Sequence, residues 1–193
     1  MQQPTHPSDI AALEDGFETI ERDARALVTG LTEFAGAWRP DPNGWTVAEC
    51  LDHLAIANHV YLGAMQPAAE GALVRGAERR GPAHPGVLGR WFVRTLEPPV
   101  TSGFRRAAPE RIRPRHAPSL GDAIGRFLAS QNEVRAFLRR YANIDLAGTR
   151  FPNPFVRGIR FSLATGLHVI AAHERRHLWQ AWRVRQSAER AAA

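Results

Sequence analysis

Lysine is missing from this chain: all 25 basic residues among its 193 are arginine. With 19 acidic residues they leave a formal charge of +6. Such an excess invites a nucleic-acid interface, which would mass its cations on one face. Here most of the arginines spread from Arg75 to Arg190 and mix with acids, while residues 1–72 are acidic on balance, with Glu14, Asp15, Glu18, Glu21 and Asp23 close together. Arginine-only usage reads as a genome-wide coding bias. The asymmetry serves packing between helices or subunits equally well, so nucleic acid is not the expected partner. Cysteine is almost absent too. Cys50 alone cannot close an intrachain disulfide, and a reducing cytoplasm is the simplest setting. No window approaches the ~20 apolar residues of a membrane span. The opening MQQPTHPSDI lacks the basic start and apolar run of a signal peptide. Internal repeats, low-complexity blocks and strand-like alternation are also missing. The remaining composition, 44% hydrophobic and 23% charged, is that of one globular domain over residues 1–193.

Helical periodicity is what the sequence does contain. The spacing of Ile10, Leu13, Phe17, Ile20, Leu27 and Leu31 predicts a first helix from about Ser8 to Phe34. WRPDPNGW breaks it. Thr46 and Glu49 then form a capping-box pattern, with Trp45 placed to staple onto Cys50. The second helix carries Leu51, Leu54, Tyr61, Leu62 and Met65 on one stripe and is apolar around much of its girth, which predicts burial. Residues 70–118 are rich in proline, glycine and arginine and read as a long crossover with a short helix in GVLGRWFVRTLE. Crossovers this long are usually functional or span the fold. Ser119 is a plausible N-cap for a third helix to about Tyr141. FPNPFVRGIRF reads as a loop, and a fourth helix covers about Ser162 to Ala188. Four long helices and one crossover predict an all-α four-helix bundle. The short first connection predicts that the first two helices are antiparallel neighbours.

The fourth helix contains HERRH, residues 173–177, an H-E-x-x-H pattern of the kind zinc peptidases use. Residues four apart on a helix lie about 40° apart in projection and roughly 6 Å apart along the axis. His173 and His177 can therefore share one metal ion, which would offset their desolvation on an apolar face. They can equally be edge histidines bonded to water or backbone. His53, bordering the apolar stripe of the second helix, is the candidate third ligand. Alone it would read as a satisfied core histidine. Facing helices are where bundles build metal sites. His59 and His168 point elsewhere by spacing, and His6, His84 and His116 fall in terminal or proline-rich segments. Glu174 is the candidate general base. It could instead hold a ligand's second nitrogen or pair with Arg175 or Arg176. Glu49 reads as a cap, Asp52 as a solvated or salt-bridged acid, and Gln180 as a residue lining the site or bonding behind it. Trp45 and Trp179 read as core or interface residues.

GWTVAECLDHLA, a variable crossover, and FPNPFVRGIRFSLATGLHVIAAHERRHLWQ together resemble the DinB/YfiT-like superfamily of metal-dependent enzymes. The pattern is a tryptophan opening helix two, a histidine about eight residues on, then H-x-x-x-H followed by glutamine. Trp45, His53, His173, His177 and Gln180 match it. The resemblance implies an up-down-down-up bundle and a divalent metal, zinc or nickel, on three histidines. It also implies a homodimer and chemistry on a small molecule. That chemistry is hydrolase-like or a transfer that uses a low-molecular-weight thiol. The arginine-rich crossover departs from the family pattern and bears on the substrate side. A non-catalytic, stress-related dimeric metal binder and a zincin-type peptidase remain as alternatives. A site of three neutral imidazoles leaves a position open for water or substrate, as catalytic metal sites do.

Overall fold

The computed structural model describes residues 7–99 and 108–192. Helix α1, Ser8–Val28, buries Ile10, Leu13, Phe17, Ile20, Ala24 and Leu27 on one stripe. It stops six residues before the predicted Phe34. Thr29 is extended and Gly30 takes a positive φ of 72°, a conformation that suits glycine and cannot continue a helix. Arg185 collects the carbonyl oxygens of Leu27 at 2.7 Å and Thr29 at 3.0 Å, groups the helix end leaves without partners. A four-residue turn, α2 (Glu33–Gly36), follows, capped by Thr32. Phe34 belongs to it and is 85% exposed.

Helix α3, Val47–Val74, starts at the expected capping box. Thr46 Oγ1 accepts from the Glu49 amide at 3.0 Å, and Glu49 Oε2 accepts from the Thr46 amide at 2.9 Å. Every residue from Val47 to Ala55 is buried, as the apolar girth predicts. The helix runs on past Pro67 to Val74, which shortens the expected crossover at its start. Pro67 and Gly63 both face solvent, where water can take the carbonyl that a proline leaves unbonded.

The crossover contains α4, Val87–Leu96, and a 3-10 turn at Glu110–Ile112. Helix α5, Leu120–Arg140, begins at Ser119, whose Oγ accepts from the Asp122 amide at 3.1 Å. Glu33 of α2 adds a second cap by accepting from Leu120 and Gly121. The predicted loop at FPNPFVRGIRF is instead a small antiparallel hairpin. Strand β1 (Arg150–Pro152) pairs with β2 (Arg160–Ser162), with Phe151 opposite Phe161 and both buried. Three-residue strands are too short to show a period of two. Helix α6, Leu163–Ala192, follows directly.

The chain is mainly helical. Helices α3 and α1 each pack against both α5 and α6, and α4 packs on α6. Helices α1 and α3 touch each other little, which corrects the expectation that they are neighbours. The connection through α2, which touches both α5 and α6, carries the chain across the end of the helices. Two glycines set the approach of α6. A Cβ on Gly166 would lie 2.8 Å from Met65 Sδ of α3, and one on Gly89 of α4 would lie 2.5 Å from Thr165 Oγ1. Among the described residues no helix is long and apolar enough to cross a membrane.

Candidate metal centre

The capping box fixes where α3 begins, and with it the direction of His53, two turns in. Its ring is 1% exposed and faces α6. There it meets His173 and His177, which lie on successive turns of α6. One ring nitrogen from each of the three histidines lies within 4.8 Å of the other two. The Nε2 atoms of His53 and His173 are 3.2 Å apart. The rings pack edge to face, with centroids 4.5–5.0 Å apart. The structure therefore joins the three histidines that the sequence suggested and leaves the others elsewhere. His59 lies against Glu133 and the Ala55 carbonyl, and His168 contacts the Ala83 carbonyl. His84 and His116 are exposed, and His6 lies outside the described residues.

Hydrogen bonds behind two of the rings set their tautomers. His53 Nδ1 lies 2.5 Å from the Ile112 carbonyl oxygen. A carbonyl can only accept, so Nδ1 carries the proton and Nε2 presents its lone pair inward. His177 does the same with Gln180, whose Oε1 accepts from Nδ1 at 3.0 Å. Acceptors in these positions orient and strengthen metal-binding imidazoles. Burial holds His53 down to about 4 and His173 down to about 3. For His173 the neighbouring His53 and Arg176 push the same way. His177 is held well below its ordinary value, by burial first and then by His173, His53 and Arg176. The three rings are thus neutral near pH 7. Three neutral rings, two of them with their lone pairs turned inward, are the kind of donor set a divalent cation requires.

Trp45 does more than open α3. Its ring lies 4.6 Å from that of His53 and stacks on His177 at 5.6 Å, and so walls one side of the cluster. Asp52 is fully buried, and it is salt-bridged, as one of its two sequence readings has it. It accepts from Arg126 Nε at 2.8 Å and from the Arg115 amide at 2.7 Å. Adjacent residues of α3 thus hold the crossover at two points, Ile112 through His53 and Arg115 through Asp52. Glu49 caps its helix and also receives Arg39.

Glu174 has different partners from those the sequence suggested. It is completely buried, and its Oε1 accepts from Asn58 at 2.8 Å and from Gln131. Arg175 pairs with Glu97 instead. Burial outweighs the hydrogen bonds to Glu174 and raises its carboxyl to about 8. It sits in a polar seam between α3, α5 and α6, where Asn58 also reaches Ser130. Sequence reading missed this seam and Ile112. Asn58 and Gln131 interrupt otherwise apolar helix faces, a signal of buried polar contact. Ile112 gave none, because its part is played by a backbone carbonyl.

Residues 17–181 match the DinB superfamily. The chain belongs to that superfamily. No curated protein and no solved structure gives a significant match. The DinB match covers both blocks that form the cluster, from Trp45 and His53 to His173, His177 and Gln180.

Proposed function

We propose that this DinB-superfamily chain is a metal-dependent enzyme acting on a small molecule. His53, His173 and His177 hold one divalent ion, zinc or nickel. The observation that carries the reading is the convergence of three neutral imidazoles, two of them locked by acceptors behind the ring. A divalent ion bound there supplies Lewis-acid activation of a water or of a thiol, and so hydrolase or thiol-dependent transferase chemistry. The protein's own part is to keep the rings deprotonated by burial, to aim them through Ile112 and Gln180, and to cover one side with Trp45. In this reading α1, α3, α5 and α6 are the four helices of an up-down-down-up bundle. Val87, Leu88 and Trp91, exposed on α4, support a homodimer.

Glu174 is assigned to the fold and not to proton transfer. Its carboxyl is engaged by two buried carboxamides, which speaks against a zincin-type peptidase. Elemental analysis of untagged protein purified without added metal is the direct test. About one equivalent of zinc or nickel per chain is expected. Less than a tenth of an equivalent of any transition metal, with no uptake on addition, would sink the proposal.

A further inference from the structure

HERRH contains two arginines that the metal reading leaves unused, and the fold gives them different surroundings. Arg175 forms a two-pronged pair with Glu97, its Nε 2.9 Å from one carboxylate oxygen and an NH2 donor on the other. That pair ties α6 to the end of α4. Arg176 meets no carboxylate among the described residues. Among the described residues its one hydrogen bond runs from NH1 to the Thr95 carbonyl oxygen, at 3.3 Å. A guanidinium carries five N–H donors, so most of its donors have no protein partner.

The position of Arg176 gives this significance. It follows His173 by three residues and precedes His177 by one, so its stem leaves α6 within the same turn as the ligands. It is half-buried, and that burial works against its charge. Its positive charge acts on both His173 and His177. Among the described residues, four acids near the histidines are already engaged. Asp52 holds Arg126 and Arg115, Glu49 holds Arg39, Glu97 holds Arg175, and Glu174 is sealed among carboxamides. Among the described residues, Arg176 is therefore a cation without a carboxylate partner beside neutral imidazoles. A guanidinium that lacks a counter-ion and still reaches solvent keeps its donors free for a charge-assisted contact with an anionic group.

The end of α4 offers Arg176 a simpler role. Thr95 lies in the last turn of α4, where the helix dipole favours a cation. That accounts for one donor at a long distance, and Arg175 already anchors α4. It leaves the remaining donors free for a ligand.

We infer that Arg176 recognises an anionic group, in the simplest case a carboxylate, on the small molecule taken at the three-histidine centre. This rests on the metal-site reading and gives it a substrate class. A guanidinium offers paired donors that match the two oxygens of a carboxylate. An anion placed there would hold the rest of the molecule beside the turn of α6 that carries His173 and His177.

The test uses cobalt(II) as probe metal and two thiols that differ in charge, 3-mercaptopropionate and 3-mercapto-1-propanol. Binding of each is followed by thiolate-to-cobalt absorption. The unaltered chain should prefer the carboxylate by about tenfold or more, the scale of a charge-assisted contact. Arg176→Gln should erase that preference while keeping one cobalt per chain and unchanged affinity for the alcohol. Arg176→Met serves if the glutamine variant does not fold. No preference in the unaltered chain, or the same preference in a cobalt-loaded variant, overturns the inference and leaves the metal site standing. Failure of the unaltered chain to take up cobalt overturns the metal reading and this inference with it.

Discussion

His53 Nδ1 sits 2.5 Å from the carbonyl oxygen of Ile112, 59 residues further along the chain. This contact joins a helix buried in the core to a proline- and arginine-rich crossover. It fixes which nitrogen of His53 keeps the proton and so turns Nε2 toward His173. The crossover is part of the centre through its backbone.

Alanine at His53 should reduce bound metal as strongly as alanine at His173 or His177, since the three rings form one set. Metal content of the purified variants checks this. The loss should exceed the ~10–100-fold in affinity expected for a group behind a ligand. A His53→Ala chain with full metal would remove His53 from the set.

Gln180→Leu keeps the bulk of the side chain and removes the acceptor of His177 Nδ1–H. Metal affinity should fall by about 10–100-fold with the fold intact. Competition with a chelator measures the affinity, and circular dichroism monitors the fold. Unchanged affinity would mean that packing alone orients His177.

The histidines also set a pH window. Their folded-state values, about 4 for His53 and about 3 for His173, lie below the ordinary 6.5. Between these limits the unfolded chain binds protons that the folded chain refuses. The metal-free protein should therefore lose stability as pH falls from 6.5 toward 3, with no contribution from these groups above 6.5. Metal affinity should stay level from pH 8 to about 5, where exposed imidazoles would already lose the ion to protons. Denaturant titrations and metal titrations across pH test the two halves separately.

Glu174 works in the opposite direction. Its carboxyl is raised from 4.5 to about 8, so its contribution is complete below 4.5 and is lost as pH rises through 8. Glu174→Gln should keep metal and fold, and should gain stability relative to the unaltered chain as pH rises from 5 to 8. Glu174→Leu should cost on the order of 1–3 kcal/mol for each carboxamide left unpaired. Loss of metal from the glutamine variant would return Glu174 to the centre.

Local rules made much of this legible in the sequence. The capping box at Thr46 and Glu49, the Ser119 cap and the apolar stripe of α1 act over one or two turns, so adjacent residues suffice to specify them. The i, i+4 spacing of His173 and His177 is a property of one helix, and the pattern around Trp45 and His53 marked the third ring. Other features depended on distant segments. The end of α1 is held by Arg185 from the far end of the chain, and the hairpin exists because Phe151 and Phe161 are buried together. Glu174, Asn58 and Gln131 meet only once α3, α5 and α6 are packed. The sequence by itself determined where the long helices begin and which three histidines could meet. The tertiary structure decided the partners of each polar group. Helix periodicity is short-ranged, whereas a buried donor or acceptor must find its partner wherever the folded chain brings one within reach.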